Sequence, residues 1–567
     1  MKKQAGYVPA FQPGKNDYVL ILGLLVLCAM LFLWALGGRS LWETDEARYA
    51  EVAREMLVSG DWIAPRLNYV KYFEKPPLTY WLVALFFKLF GVSDFTARLT
   101  PAVFGALAVL SVFFLGRRMW NARAGIMAGG VLATSLMFLA LSRVLLVDMV
   151  LCFGVTWALL GAWALRQGEK WGRWAFWAGC AVGFLTKGLL GLGLPVMVAG
   201  LFGVLAGEWA WLRNLARLRG PTLGLALCVP WVVLISLANP EFPRFFFIDE
   251  NLGRLLTTNH QRYQPVYFYL FLLPAGFFPW IVYLPWALRE TWPGRAWRGA
   301  ANRPWLYAMV WLVSLFVFFS MSRSKMAHYA LPMLPPLALL VGPSLARLWS
   351  EGWREETPHA VQRGGTGLAW LLIMIGVAVL LAPALSQDLD YSQVGAALLI
   401  APLGLGGLGL GVFLMRRRGW AAWASPLVAL LALAGLAGLA TPKLDDYRSL
   451  KPLVAPIAST LVPEDVLVSF ADYYHGLVFY SGRRVVVARN WGELDFGRRQ
   501  DSQAAKWFLP DDTAFIRLLQ NPRLRVVAVG ETQAFLRLKE QAQGVPGLLL
   551  FEWECRGDKS LFSNRPR

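Results

Sequence analysis

Apolar residues run along this chain in blocks of about 20 separated by short basic or polar loops, a length that matches the ~30 Å hydrocarbon core of a bilayer when wound as helix. The first block, residues 18–37, reads YVLILGLLVLCAMLFLWALG. Its apolar run exceeds the roughly 7–15 residues of a cleavable leader, so an uncleaved anchor is expected despite the small residues Ala35 and Gly37 at its end. Further blocks lie at 98–116, 124–141, 146–165, 172–205, 221–238, 267–288, 304–320, 328–347, 367–385, 394–415 and 421–440. Block 172–205 is too long for one span, and a break around Lys187 and Gly188 divides it in two, with Gly188 as the helix stop. The pattern therefore predicts an α-helical polytopic membrane protein with about thirteen transmembrane helices.

The loops between these blocks fall into two alternating classes. One class carries Lys2 and Lys3, then Arg117, Arg118 and Arg123, then Arg213, Arg217 and Arg219, then Arg416, Arg417 and Arg418. Basic short loops mark the cytoplasmic side, which puts the N-terminus inside and the other loops outside. Three outer segments are too long or too polar for turns: residues 38–97, residues 239–266, and everything from 442 to 567. In the last, 465–471, 476–482, 483–489, 524–530 and 548–555 read as short strands, and 511–521 and 532–542 as amphipathic helices. A small periplasmic α/β domain at 442–567, hung from a transmembrane domain at 1–441, is the expected organisation.

Composition narrows the class. At 57% hydrophobic and 16% charged over 567 residues, the chain is too apolar to be soluble. Much of the net charge of +19 is accounted for by topology and by attraction to anionic membrane lipids, so no nucleic-acid partner is needed to explain it. Four of the five cysteines, Cys28, Cys152, Cys180 and Cys228, sit in apolar spans as small hydrophobes, and Cys555 is alone in the outer domain, which leaves no disulfide framework there.

Chemistry concentrates in the first outer loop. The stretch LWETDEARYAEVAREMLVSGDW carries Glu43, Asp45, Glu46, Arg48, Glu51, Arg54 and Glu55 with apolar residues at helical spacing, and reads as a helix lying along the membrane surface. After it, YFEKPPLTYWLVALFFKLFG sets Tyr72, Glu74 and Lys75 just before a Pro-Pro that opens a short interfacial helix. A solvated face of paired charges is the ordinary meaning of such a helix. Beside a membrane, clustered charges are costly unless used.

These motifs, ETDEARYAEVAREM and YFEKPPLTYW, together with SRVLLVDMVL (142–151), NHQRYQP (259–265) and SKMAHYALPMLPPLALL (324–340), resemble in matching order the lipid A aminoarabinose transferases and their relatives among the protein O-mannosyltransferases. The resemblance implies a glycosyltransferase C-type membrane fold in the bacterial inner membrane. It also implies transfer of a sugar from undecaprenyl phosphate to lipid A at the periplasmic face, with no nucleotide. By this resemblance Asp45 and Asp148 are the catalytic acids, and Lys325 and Tyr329 line the carrier cavity with Tyr72. Glu74 and His260 approach each other and could hold a divalent ion such as zinc, with water completing the shell.

The residue types suit that reaction on their own terms. A sugar leaving a polyprenyl phosphate needs the departing charge neutralised, for which Lys75 and the forked guanidinium of Arg48 are the best candidates. Asp45 would position or deprotonate the acceptor, and a phosphate acceptor is already ionised, so positioning matters more. Asp148 has an alternative reading as a packing residue satisfied by Arg143. A sugar transporter or flippase would share the many spans, but no second copy of the acidic loop marks an internal repeat. A relative of the protein O-mannosyltransferases using another sugar is the nearer alternative.

Overall fold

The computed structural model describes residues 15–252, 264–351 and 444–567. Among these, six helical stretches are long and apolar enough to cross a membrane: Asp94–Met119, Asp148–Arg166, Leu189–Ala206, Trp209–Ala238, Ala300–Met321 and Ala327–Trp349. Trp171–Lys187 and an initial helix at Lys15–Cys28, prolonged by a π turn over Ala29–Leu33, occupy two more of the predicted blocks. The spans expected at 367–385, 394–415 and 421–440 lie outside the described residues.

The division of block 172–205 is where the sequence pattern put it. Trp171–Lys187 ends and Leu189–Ala206 begins on either side of Gly188, whose φ of +67° and ψ of −144° suit a residue without Cβ. Two other blocks differ from expectation. Block 124–141 is broken into Ala122–Ala133 and Leu136–Leu141. At the break, the hydroxyls of Thr134 and Ser135 bond back to the carbonyls of Gly130 (2.6 Å) and Val131 (2.7 Å), the kind of bond that bends helices. Block 267–288 becomes Phe268–Gly276 and Trp280–Thr291, bent by 102°. Pro279 stands at that corner, where it can neither donate an amide hydrogen nor continue the preceding helix.

Asp148–Arg166 and Trp171–Lys187 form a hairpin whose backbones touch. A Cβ on Gly161 would stand 2.6 Å from the carbonyl oxygen of Gly172, and one on Gly172 would stand 2.3 Å from that of Gly161. Small residues allow such close approach, which is the main source of helix association where lipid already solvates apolar side chains. The hairpin has a consequence for chemistry: its first residue, Asp148, and its last, Lys187, arrive at the same end of the bundle.

Outside the bundle, the C-terminal chain forms a six-stranded sheet in the order Phe508–Leu509, Val486–Ala488, Val466–Phe470, Val526–Glu531, Lys559–Ser563, Phe551–Arg556. The first four strands are parallel and the last two antiparallel. One sequence-based strand is corrected: 476–482 is the helix His475–Ser481. The amides of His475 and Gly476 at its start both donate to the Glu43 carboxylate, a cap supplied by the distant first loop. The strands at 508–509 and 559–563 went unread.

Side chains alternate across this sheet, as the pleat requires. Val468, Phe470, Val486 and Ala528 join the domain's own helices through Phe515 and Phe535. Leu467, Val487, Val527 and Val529 face the other way and share a core with Ala47, Tyr49, Ala50 and Val52 of the loop at residues 38–97. The domain is therefore seated on that loop through one face of its sheet.

Candidate active site

The helix predicted at the membrane surface is present as Asp45–Ser59, closed by Gly60 in the left-handed region with its amide on the Met56 carbonyl. Its placement differs from expectation. Every residue from Glu46 to Met56 is buried, because the short helix Leu78–Phe90 covers one side and His475–Ser481 another. Its charges are absorbed by partners: Glu51 takes Nε and Nη2 of Arg54 at 2.7 and 2.6 Å, and Glu46 takes Arg98 and Arg39. Paired in this way, a highly charged helix can be enclosed.

Arg48 lies at the centre of the enclosed part. One terminal nitrogen donates to Asp45 and the other to Glu493 of the C-terminal domain. The Glu493 carboxylate also meets Nε2 of His475 at 2.5 Å, while Nδ1 of the same ring lies 3.2 Å from the Glu43 carboxylate. With a carboxylate at each ring nitrogen, both nitrogens must donate, so His475 is an imidazolium. Burial opposes its charge, but Glu493 first and Glu43 next outweigh burial and lift its pKa to about 9. Because that is above the ordinary 6.5, the pair's contribution to stability is full below 6.5 and is lost as pH rises through about 9. Glu493 is itself resisted by burial but held at about 2 by Arg48 and His475.

The YFEKPP segment runs beside Arg48. Tyr72 is fully buried and lies within the field of the Arg48 guanidinium. Among the described residues, its hydroxyl, that of Tyr80 and the Nε of Arg48 have no protein hydrogen-bond partner. Lys75 donates to the Glu74 carbonyl at 3.0 Å and stands 3.9 Å from the Glu74 carboxylate. Its charge also acts on Asp148. The Tyr49 phenol, pushed far up by burial, feels Arg48, Asp45, Asp148 and Glu74 together, so these groups lie within electrostatic reach of one ring.

Asp148 opens its helix, fully buried, and receives Lys187 Nζ on one oxygen, with His328 Nε2 3.5 Å from the other. Arg143, the partner considered from sequence, instead donates to the Leu31 carbonyl at 2.7 Å. Lys187 also lies 4.2 Å over the Tyr329 ring, which draws Tyr329 into the same cluster. Lys325 is engaged elsewhere: its ammonium donates to the carbonyls of Ser322 and Gln264, at 2.5 and 2.9 Å. His260 lies outside the described residues, and among those described no three His, Cys, Asp or Glu side chains gather to hold an ion.

Sequence reasoning missed Lys187, His328, His475 and Glu493. Lys187 carries one signal, a lysine just before the glycine break of block 172–205, where it reads only as punctuation. The two in the C-terminal domain carried none.

Comparison with known proteins agrees with this architecture. The family described as dolichyl-phosphate-mannose-protein mannosyltransferase matches residues 74–234, and the aminoarabinose transferase C-terminal domain matches residues 453–552. An undecaprenyl phosphate-alpha-4-amino-4-deoxy-L-arabinose arabinosyl transferase of Pseudomonas aeruginosa is 33% identical over 413 residues, 71% of this chain and 72% of its own. The crystal structure of ArnT from Cupriavidus metallidurans bound to undecaprenyl phosphate superposes with a TM-score of 0.80 at 29% identity, covering 97% of this chain and 99% of that one. The oligosaccharyltransferase of Archaeoglobus fulgidus, with a TM-score of 0.50 at 14% identity, shares the fold.

Proposed function

The chain belongs to the undecaprenyl phosphate-4-amino-4-deoxy-L-arabinose arabinosyl transferases, and from that premise we propose that it moves 4-amino-4-deoxy-L-arabinose from undecaprenyl phosphate to a phosphate group of lipid A. It is a multi-pass membrane glycosyltransferase of the C-type fold whose donor is a sugar linked to a polyprenyl phosphate. One observation carries the reading. Asp45, Arg48, Glu74 and Asp148 all bear on the buried Tyr49 phenol, while Arg48 acts on Tyr72 and Lys75 acts on Asp148, so acids and cations of the loop and the bundle gather at one end of the helical bundle.

In the reaction, an oxygen of the lipid A phosphate attacks the anomeric carbon from the face opposite the carrier, a new carbon–oxygen bond forms, and the bond to undecaprenyl phosphate breaks with inversion. The acceptor oxygen is already anionic, so Asp45 orients the incoming group and removes no strongly held proton. Lys75 and the Tyr72 hydroxyl face the departing phosphate, with Arg48 Nε as a further donor. Asp148, held by Lys187, gives the cationic amine of the sugar a carboxylate to meet. The donor carries its own activated phosphate, so no nucleotide enters.

The same proposal sets the chain in the bacterial inner membrane, with about thirteen spans over 1–441, the N-terminus cytoplasmic, and loops 38–97 and 239–266 and the domain at 442–567 periplasmic. A cysteine introduced at Gly419 should then react with an impermeant maleimide only after the cytoplasmic side is opened, and one at Asp501 should react in intact spheroplasts. The reverse labelling would rule out a periplasmic site.

The reaction itself is tested on lipid A from cells with and without the gene. Mass spectrometry should show an added aminopentose on phosphate only when the gene is present, and polymyxin resistance should rise with it. Each amine transferred offsets one phosphate charge that would otherwise attract a cationic peptide. Unmodified lipid A in cells that make both the protein and the donor would reject the assignment.

A further inference from the structure

The ion pairs around Arg48 do not stop at the membrane part of the chain. They form an alternating series, Glu43, His475, Glu493, Arg48, Asp45, whose two ends are two residues apart in the first outer loop and whose middle comes from the C-terminal domain. His475 is buried at 2% exposure and Arg48 at 9%, so water does not screen these charges strongly. Arg48 has two terminal nitrogens and gives one to each carboxylate. The direction in which Asp45 points is therefore fixed by a guanidinium whose other side is anchored outside the bundle.

We propose that Glu493 and His475 are positioning residues for the transfer, holding Arg48, and through it Asp45, at the reacting centre. This rests on the reaction proposed above. The C-terminal domain then completes the site as well as covering it.

Removing either residue has a definite physical result. Without the Glu493 carboxylate, Arg48 loses its outer anchor and can turn wholly onto Asp45, drawing that carboxylate away from the acceptor. Without a cationic His475, three carboxylates face one guanidinium at a place where a phosphate must arrive, and its approach is opposed. The charged groups bearing on the imidazole are Glu493 and Glu43, with Asp472 of its own segment nearby and Arg48 beyond Glu493. The Tyr473 ring packs edge-on at 4.7 Å, and from the loop helix Glu51 and Glu55 bear on that tyrosine.

The test uses the full-length protein in lipid nanodiscs, with undecaprenyl-phosphate-linked aminoarabinose and lipid A as substrates. Glu493→Gln should lower kcat per folded molecule at least about tenfold while leaving KM for the donor within about twofold, a loss in excess of any fall in folded protein from the lost ion pairs and the pattern of a lost transition-state arrangement. Glu493→Asp should recover part of the rate. In the wild type, kcat should fall as pH passes about 9, and that step should be missing in His475→Gln. Lys451→Ala, which breaks a different bridge between domain and bundle, to Asp94, should keep full kcat per folded molecule.

Full activity in Glu493→Gln, or losses in Glu493→Gln and Lys451→Ala that both track melting, would overturn the inference while an active wild type leaves the reaction standing. Should Glu493→Gln fail to fold, Glu493→Asp decides, because wild-type kcat in that variant equally overturns it. A wild type inactive with this donor and acceptor takes down the reaction and the inference together.

Discussion

Asp45→Asn and Lys75→Ala are each expected to reduce sugar transfer by about a hundredfold or more, while the protein reaches the membrane in normal amount and elutes as a single species in detergent. The two losses have different causes. In the proposed reaction Lys75 neutralises a phosphate whose charge grows as the sugar departs, and removing one preorganised donor from such a centre costs on the order of 10²–10³ in rate. Asp45 keeps its shape as asparagine but loses the charge that receives Arg48 and that, in the proposed reaction, orients the acceptor. Asp45 remains about one-third exposed at its side chain, and the buried Arg48 keeps Glu493 as its counter-ion when the Asp45 charge is removed, so the fold tolerates the substitution. A double substitution should fall well short of the product of the two losses, since both act on one transition state. Lipid A modification in a strain lacking its own enzyme, with the protein quantified by immunoblot, measures both effects. A fall in activity matched by an equal fall in folded protein would make these residues structural.

What the sequence made legible and what it concealed differ by physical cause. The spans could be read because lipid imposes one length on every apolar helix, and the break at Gly188 because few residues tolerate its backbone angles. The loop helix Asp45–Ser59 could be read from its periodicity, but its enclosure could not. A charged face satisfied by water and one satisfied by Arg98, Arg39 and Glu493 have the same sequence signature. The segment 476–482 reads as a strand because a short apolar run has no decisive period, and the Glu43 carboxylate that starts its helix lies more than 400 positions upstream. The same holds for the site. Asp45, Tyr72, Glu74 and Lys75 sit in one recognisable block, whereas Lys187 meets Asp148 and Glu493 meets Arg48 only through the fold. Tyr329 joins the cluster through Lys187, a residue whose role no local pattern discloses.

Glu46, the neighbour of Asp45, shows how little adjacency says about role, and Glu46→Ala should destroy the folded protein. Its carboxylate is only 3% exposed and is the meeting point of three segments. It receives Nε and Nη2 of Arg98 at 2.8 and 2.9 Å, Nη1 and Nη2 of Arg39 at 2.7 and 3.0 Å, and the amides of Trp42 and Leu145 at 3.2 and 3.0 Å. Arg98 is fully buried in the helix Asp94–Met119, and its remaining hydrogen bonds go to the carbonyls of Leu36, Arg39 and Ser40. Alanine at 46 would strand that guanidinium in the interior without an anion, a loss of roughly 3–5 kcal/mol, which is a large part of the stability of a typical domain. Burial resists the Glu46 charge, but Arg98 and then Arg39 more than offset it and hold the carboxyl below its ordinary 4.5. Its contribution is therefore complete above 4.5 and disappears only as pH falls through the depressed value. Size-exclusion profiles after graded heating should place Glu46→Ala far below the wild type, with Glu46→Gln between them because it keeps the shape and surrenders the charge. The decisive comparison is with Asp45→Asn: if the Glu46 variants stay folded and lose only turnover, Glu46 belongs to the reacting centre and the division of labour between these two adjacent acids is reversed.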